Sequence, residues 1–197
     1  SSSVIDISKN NTVLNNFIIS VHYLAETITQ YFGDGSKFNV SIEYIPEEEP
    51  LGTAGCLSLL NPLPNLPFIV TNGDIITDVN YAHLLDFHLA NSSEATMAIK
   101  RYELQNPYGV VNTDGLHISS FEEKPIQLSY VNAGIYVINP SALKYLELNT
   151  FCNMPDFFML LKENKNQIYQ LEDLRPHYLI TKEEVNKFSN YQLKRNT

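Results

Sequence analysis

A carboxylate, Asp74, directly follows an apolar run in the stretch VTNGDIITD, residues 70–78. A lone carboxylate at the end of a strand suits Mg²⁺, which takes few protein ligands and completes its shell with water and substrate phosphates. Gly73 has no Cβ and therefore lets the backbone approach a ligand closely. Taken alone, Asn-Gly-Asp is more often an ordinary turn, so the rest of the chain has to decide between a metal site and a turn.

A second motif, PLGTAG (residues 50–55), forms a loop of small residues that opens a predicted helix. Gly52 and Gly55 permit tight turns there, and free N–H groups at a helix start can bind an anion or the edge of a base. The alternative is a plain loop in which Thr53 caps the helix. The motif by itself does not separate these two interpretations.

Two further motifs, YGVV from Tyr108 and FEEKP from Phe121, flank a predicted hairpin. Pro125 biases the preceding Lys124 toward an extended backbone, and an ammonium group on such a segment makes a good phosphate contact. The alternative is a solvated charge run. The motif VNAGIYV places polar Asn132 at the start of a strand, where a bulge is the simpler interpretation.

The elements that must position these residues alternate between strand and helix in the first half of the chain. This order predicts an open, doubly wound α/β sheet, Rossmann-like and mostly parallel, with helices on both faces and its ligand beyond the carboxyl ends of the strands. The predicted strands cover residues 17–21, 40–45, 68–71, 95–100, 109–112, 117–122 and 131–138, with a hairpin turn at Asp114-Gly115. The predicted helices cover residues 24–32, 55–60, 81–90, 141–148, 154–163 and a last one from Thr181.

Composition narrows the class of protein. The chain has 197 residues, enough for one domain, and a net charge of −9 with scattered basic residues. This argues against binding nucleic acid or an anionic membrane, but it allows one or two placed cations to hold a phosphorylated small molecule. Cys56 and Cys152 make neither a disulfide framework nor a zinc site. Without a signal peptide or a long apolar run, we expect a cytoplasmic protein.

In their order along the chain, PLGTAG, NGD, YGVV, EEKP and VNAGIYV resemble the sugar nucleotidylyltransferases, over roughly residues 16–170. The likeness is nearest to bacterial members similar to mannose-1-phosphate guanylyltransferases, some of which carry CBS domains. It implies a glycosyltransferase-A-like fold and transfer of a nucleotidyl group from a nucleoside triphosphate to a sugar 1-phosphate. GTP is the nucleotide that the resemblance favours, and whether the chain forms a homo-oligomer stays open.

The resemblance also assigns roles to residues of this chain. Asp74 and Lys124 are the catalytic candidates, and Asp74 is the ligand of Mg²⁺, with Asp173 in LEDLRPHYL as a weaker second one. The substrate-binding candidates with an implied role are Gly52 for the base, Gly109 for the sugar, Glu123 for the sugar hydroxyls, Lys124 for the sugar phosphate and Asn132 for the sugar ring. Thr53, Gly73 and Tyr108, beside them in the same motifs, are further substrate-binding candidates.

The amino-terminal segment departs from the family pattern. The family begins with a strand, a G-G-x-G-T-R loop around the triphosphate and a Pro-Lys-Pro, whereas residues 1–14 contain no glycine, arginine or proline. We therefore expect three parts: an unassigned head at 1–14 (CBS-like or a linker), a nucleotidyltransferase domain at 15–171 without its first strand and loop, and a helical tail at 172–197. The sequence is then a truncated or gapped form of a longer protein, nearly inactive alone. The alternative is a non-catalytic sugar-nucleotide-binding or interaction domain.

Overall fold

The structure, a computed structural model, describes residues 2–6, 14–77, 79–172 and 177–179. The strands are β1 (Ser2–Asp6), β2 (Asn16–Val21), β3 (Ser41–Pro46), β4 (Phe68–Asn72), β5 (Ile75–Thr77), β6 (Ala95–Gln105), β7 (Val110–Asp114), β8 (His117–Glu122), β9 (Ile126–Ile138), β10 (Ile168–Glu172) and β11 (His177–Leu179). The α-helices are α1 (Ala25–Phe32), α2 (Gly52–Gly55), α3 (Tyr81–Ala90) and α4 (Met154–Glu163), with 3-10 helices at Ser36–Phe38, Cys56–Leu59 and Pro140–Tyr145.

One seven-stranded sheet organises the fold, in the order β10-β6-β9-β4-β1-β2-β3. Five of its strands run in one direction, and β1 and β9 run in the other. This confirms the predicted mixed sheet in which most strands run in the same direction. Only β10–β6 and β2–β3 are parallel neighbours, because the two reversed strands lie between the others.

The core lies on both faces of the sheet, as predicted. Phe68 and Val70 of β4 pack into a cluster with Phe157 of α4, whereas Ile69 between them packs with Leu84 of α3. Consecutive side chains of a strand point to opposite faces, so a strand covered on both sides is apolar throughout. Helix α1 contacts β3 but has no fully buried residue.

Within the amino-terminal head, residues 2–6 form a strand inside the sheet. Strand β1 lies between β2 and β4 and is antiparallel to both, with Val4 opposite Ile18 on one side and Val70 on the other. The predicted strands 17–21, 40–45 and 68–71 do belong to one sheet, which confirms that expectation. Burial of the second of them was predicted wrongly: β3 is half exposed because it is the edge strand.

Other differences concern how far elements extend. Strands β6 and β9 pair with each other far beyond their predicted limits and form a ribbon. We call residues 100–131, which include this ribbon and the β7–β8 hairpin, the arm. The helix predicted at 141–148 is the 3-10 helix Pro140–Tyr145, and the one predicted at 55–60 is the single turn α2 followed by Cys56–Leu59. The predicted hairpin is confirmed, but its two loop residues are Gly115 and Leu116, and Asp114 is the last residue of β7.

The segment 172–197, predicted as a helical tail, begins at the end of β10, and its residues His177–Leu179 form a strand antiparallel to β5. The helix predicted from Thr181 lies outside the described residues. Across the part of the chain that the structure describes, no helix has the length and apolar character needed to cross a membrane.

Candidate functional site

The carboxyl ends of β2, β3 and β4 lie on the same side of the sheet, because these three strands run in the same direction. We call this side, where the strands end, the sheet edge of the site. The segments that follow them, 22–24, 47–53 and 73–74, therefore meet at this edge. Asp74 lies directly after β4, in the tight turn before β5, and is exposed. Its predicted place at the carboxyl end of a strand is confirmed.

The NGD turn packs against the VNAG segment of β9. Gly134 has φ +72°, and a Cβ there would clash with Ile75 Cδ1 and lie 3.0 Å from Asn72 Nδ2. The register of β9 against β6 shifts at this point, so the bulge foreseen as the simpler interpretation of VNAGIYV is present. The absence of a side chain at residue 134 is what lets two distant motifs touch.

Asn132 holds this bulge from within. Its Oδ1 accepts a hydrogen bond from the Gly134 N–H at 2.8 Å, and its Nδ2 donates to the Tyr136 hydroxyl at 2.7 Å. Burial raises the pKa of Tyr136, and the hydrogen bond from Asn132 partly offsets that rise. One amide hydrogen and one lone pair of Asn132 remain for a ligand.

The residues of the NGD turn fit a small hard cation. The Asp74 carboxylate is exposed, and the Oδ1 atom of Asn72, two residues earlier, is buried and has no hydrogen-bond partner. Carboxylate and amide oxygens are hard ligands, and Mg²⁺ needs few of them. Among the described residues no group of three or more His, Cys, Asp or Glu is placed to hold a metal. Asp173, the second predicted ligand, lies outside the described residues.

A cleft of about 490 Å³ lies beside the PLGTAG loop. Gly52 and Thr53 form one wall of this cleft. His22, Tyr23 and Leu24, which follow β2, line it together with Ile28, Glu47 and Pro50. Because Gly52, the residue predicted to contact the base, lines this cleft, it is the candidate nucleoside site.

The expectation of free N–H groups in PLGTAG is wrong for three of its residues. The N–H of Leu51 donates to Glu47 Oε2 at 2.8 Å. The N–H groups of Ala54 and Gly55 donate to the carbonyl oxygen of Cys152, at 2.9 and 3.0 Å. Gly52, at φ +77°, has no room for a Cβ, which would lie 2.6 Å from the same oxygen. The segment before α4 therefore takes the place that a ligand would need.

Thr53 also has a role other than the predicted ones. Its Oγ1 accepts a hydrogen bond from the N–H of Met154, the first residue of α4, at 2.8 Å. Thr53 thus caps α4. This hydrogen bond joins the PLGTAG loop to a helix whose first residue is 101 positions away in the chain.

The remaining candidates lie where the β6–β9 ribbon joins the β7–β8 hairpin, at residues 106–109 and 123–125, a junction called here the tip of the arm. A Cβ on Gly109 would lie 3.2 Å from Glu123 Oε2, so these two residues are neighbours, and Tyr108 beside them is 76% exposed. The prediction of an extended Lys124 is wrong: its φ is +47°. The chain must turn between β8 and β9 within three residues, and the carbonyl of Pro125, which accepts from Asn106 N at 3.0 Å, fixes that turn.

The structure thus divides the predicted residues into three groups. The first is the cleft, the second is the NGD turn with its bulge, and the third is the tip of the arm. Six residue steps of strand β9, from Ile126 to Asn132, separate the third group from the second. At the usual rise of a strand these steps span about 20 Å along the ribbon.

Sequence analysis missed Asn72 and Glu47. The acidic run Glu47-Glu48-Glu49 looks like a solvated loop, and nothing local marks its first member. Asn72 belongs to the NGD motif, in which only Gly73 and Asp74 were predicted to have a role. Its buried amide oxygen, which has no hydrogen-bond partner, is visible only in three dimensions.

The chain matches known proteins over most of its length. Residues 3–171 match the family described as "Nucleotidyl transferase". The chain is 34% identical over 169 residues to a mannose-1-phosphate guanyltransferase from Hypocrea jecorina, and the match covers 81% of this chain and 46% of that protein. A mannose-1-phosphate guanyltransferase from Yarrowia lipolytica is 36% identical over 146 residues, 68% of this chain and 39% of that protein. The chain spans about half the length of these curated relatives or less.

Solved structures share its fold. HddC from Yersinia pseudotuberculosis, in a complex with GMP-PN, is 22% identical with a TM-score of 0.62, over 86% of this chain and 75% of that one. A putative glucose-1-phosphate thymidylyltransferase from Bacillus anthracis, in complex with a sucrose, is 21% identical with a TM-score of 0.63, over 86% and 73%. The expected Rossmann-like architecture is confirmed.

Proposed function

Because this chain belongs to the sugar nucleotidylyltransferase family, we propose that it is the part of a transferase that binds a nucleoside triphosphate and a sugar 1-phosphate. An oxygen of the sugar phosphate attacks the α-phosphorus of the nucleotide. The bond from that phosphorus to the oxygen bridging to the β-phosphate breaks, and pyrophosphate leaves. No covalent intermediate with the protein is needed, so the chain supplies positioning and charge neutralisation.

The observation that carries this proposal is that the PLGTAG and NGD motifs lie at the same edge of the sheet. The cleft beside Gly52 and Thr53 follows β3, and Asp74 follows β4. We propose that a nucleoside in the cleft would direct its phosphates toward the NGD turn at the same edge. In open α/β sheets this edge is where ligands bind.

Each of the chain's own residues has a role in this arrangement. Gly52 and Thr53 shape the base site. Lys124 would supply the cation for the sugar phosphate, which requires the arm to bring it toward the NGD turn across the length of ribbon that separates them. Glu123 accepts hydrogen bonds from sugar hydroxyls, while Asn132 holds the bulge beside the metal turn. Asp74 would hold Mg²⁺, which when bound neutralises charge that develops on the transferred phosphate.

GTP and mannose 1-phosphate are the proposed substrates. Support for this choice comes from the names of the relatives, which are mannose-1-phosphate guanyltransferases, and from the guanine nucleotide analogue bound to one structural neighbour. With a net charge of −9, the chain does not favour nucleic acid as an alternative ligand, because such binding needs a broad basic surface.

A second candidate function, binding without turnover, is favoured by the direction of β1. In the family pattern a glycine-rich loop follows the first strand and surrounds the triphosphate. Here the central strand β1 is antiparallel, so its carboxyl end, Asp6, lies at the edge opposite to the site, beside the start of β2. A loop that follows β1 therefore leaves the sheet on the wrong side to reach the nucleotide phosphates.

The experiment compares Asp74→Asn with Asp86→Asn, which removes the same charge from an exposed position on α3. GTP binding is titrated with and without Mg²⁺, and pyrophosphate release is followed with mannose 1-phosphate. We expect the gain in GTP affinity from Mg²⁺ to disappear in Asp74→Asn and to remain in Asp86→Asn. Any turnover should fall about 10²- to 10³-fold in the Asp74 variant alone.

Pyrophosphate release above background by residues 1–197 supports the transferase over the binding domain. Mg²⁺-dependent GTP binding without release shows that this chain binds the nucleotide but does not turn it over alone, which both candidates allow. An unchanged Mg²⁺ response in Asp74→Asn would show that Asp74 is a turn residue only.

A further inference from the structure

We propose that Glu47 is a positioning residue for the nucleotide, which holds the Gly52–Thr53 loop against the end of β2 and so gives the base cleft its shape. This inference rests on the proposed function, since it assumes that the cleft receives the base. Glu47 lies just after β3 and lines the cleft itself.

The carboxylate of Glu47 joins two segments of the chain. One of its oxygens, Oε1, accepts a hydrogen bond from the hydroxyl of Ser20, a fully buried residue of β2. The other, Oε2, accepts from the backbone N–H of Leu51 at 2.8 Å. Leu51 directly precedes Gly52, so the carboxylate fixes the start of the loop to the sheet. Hydrogen bonds to an ionised acceptor are about twice as strong as neutral ones.

The backbone of Glu47 fixes the opposite wall of the cleft. Its carbonyl oxygen lies 2.9 Å from Nδ1 of His22. A carbonyl can only accept, so Nδ1 of His22 carries the proton, and in the neutral ring Nε2 is left as an acceptor. Glu47 therefore orients both sides of the cleft at once, the loop through its side chain and His22 through its main chain.

The loop has a separate attachment on its other side. The carbonyl of Cys152 accepts from Ala54 and Gly55, and Met154 N donates to Thr53 Oγ1. These contacts do not involve Glu47. Removal of its carboxylate should therefore release the start of the loop without unfolding the loop or the domain.

The neighbouring residues supply a matched control. Glu48 and Glu49 carry the same charge at the next two positions, but both are exposed, and within the described chain neither has a hydrogen bond or an ion pair. A long-range effect of charge on the nucleotide phosphates would be shared by all three glutamates. An effect of position would belong to Glu47 alone.

The test measures the affinity for GTP and for mannose 1-phosphate in the wild-type chain and in Glu47→Ala, Glu47→Gln and Glu48→Ala. We expect Glu47→Ala to weaken GTP binding about tenfold or more, the usual worth of a hydrogen bond to a charged group, and to leave the affinity for mannose 1-phosphate unchanged. Glu47→Gln keeps both hydrogen bonds, because the Ser20 hydroxyl can accept as well as donate, and should restore affinity for GTP. Glu48→Ala should match the wild type.

Hydrogen exchange gives a readout that needs no ligand. The Leu51 amide should exchange faster in Glu47→Ala, while the amides of Ala54 and Gly55 keep their protection. The proposal is overturned if Glu47→Ala and Glu48→Ala change GTP affinity equally, if Glu47→Ala weakens both ligands alike, or if GTP affinity does not change. A wild-type chain that binds mannose 1-phosphate but no GTP overturns it too, and one that binds neither also removes the proposed function.

Discussion

Lys124 holds its exposed ammonium on a backbone with φ +47°, in the left-handed region that side chains other than glycine rarely occupy. Such a conformation costs on the order of 1–3 kcal/mol and persists only where the surrounding structure enforces it. The hydrogen bond from Asn106 to Pro125 and the neighbouring Glu123 and Gly109 provide that enforcement. The backbone that carries this cation has therefore lost part of its conformational freedom before a ligand arrives.

We expect Lys124→Ala to weaken mannose 1-phosphate binding roughly ten- to a hundredfold, since a charge-assisted phosphate contact is worth about 1.5–3 kcal/mol. Binding of mannose, which has no phosphate, should not change. Lys165→Ala is the control, because Lys165 is an exposed lysine with φ +60° that precedes β10 at the opposite sheet edge. Equal losses in both variants, measured by calorimetry, would return FEEKP to a solvated loop.

His88 makes the stability of the fold depend on pH. It is 1% exposed, with Nε2 at 3.2 Å from Asn139 Oδ1 and Nδ1 at 2.9 Å from the Thr96 hydroxyl. The amide oxygen only accepts, so Nε2 donates and the neutral ring accepts from Thr96. Burial lowers the pKa of His88, although the hydrogen bond with Asn139 and the charge of Glu94 oppose this.

The unfolded chain therefore binds the proton at His88 more readily than the folded one. The stabilisation is complete above the usual histidine pKa of about 6.5 and is lost as the pH falls toward the lowered folded value. We expect the free energy of unfolding, measured with urea between pH 7.5 and 5.5, to fall less steeply in His88→Gln than in the wild type. His83→Gln, an exposed change on the same helix, should keep the wild-type slope. A His88→Gln slope equal to that of the wild type would refute the assignment.

At the scale of elements, the bulge in β9 decides whether the NGD turn and the VNAG segment can touch. Gly134 and Gly115 both have positive φ, +72° and +59°, but a Cβ on Gly115 meets nothing within 4 Å, whereas one on Gly134 meets Ile75 and Asn72. The two glycines thus separate the cost of backbone conformation from the cost of crowding.

We expect Gly115→Ala to destabilise the protein by about 1–2 kcal/mol, the cost of the left-handed backbone alone. Gly134→Ala should cost that amount and about 1–3 kcal/mol more for overpacking. Denaturant unfolding of both variants tests this, and equal losses would mean that Ile75 and Asn72 move aside freely. Gly134→Ala should also weaken Mg²⁺-dependent GTP binding, because it displaces the turn that carries Asp74.

At the scale of the whole molecule, β1 completes the sheet. A central strand forms hydrogen bonds on both sides, and proline, which has no N–H, is excluded from such a position. We expect Val4→Pro to lower the free energy of unfolding by about 2 kcal/mol or more, whereas Val4→Thr, which keeps the N–H and the β-branched shape, should cost less than half as much. A Val4→Pro protein as stable as the wild type would show that β2 and β4 do not depend on β1.

The sequence alone determined those elements whose signals are local. Helices α3 and α4 were predicted at their observed bounds, α3 because Asn80 caps it through His83 N and both because their apolar spacing repeats within a few residues. The run at 68–71 and the turn after it placed Asp74 at a strand end for the same reason. The order of five motifs identified the family, although the role of each residue there remains a prediction.

Only the tertiary structure decided what distant segments do to one another. The antiparallel entry of β1 and the long pairing of β6 with β9 depend on hydrogen bonds between backbone groups, which nearly all residues carry alike. The capping of α4 by Thr53 joins a side-chain hydroxyl to the N–H of a residue 101 positions away. Glu47 differs from Glu48 and Glu49 only in which atoms lie nearby. A sequence records the identity of side chains, whereas these features depend on which polar groups the folded chain brings within about 3 Å of each other, the distance at which a hydrogen bond forms.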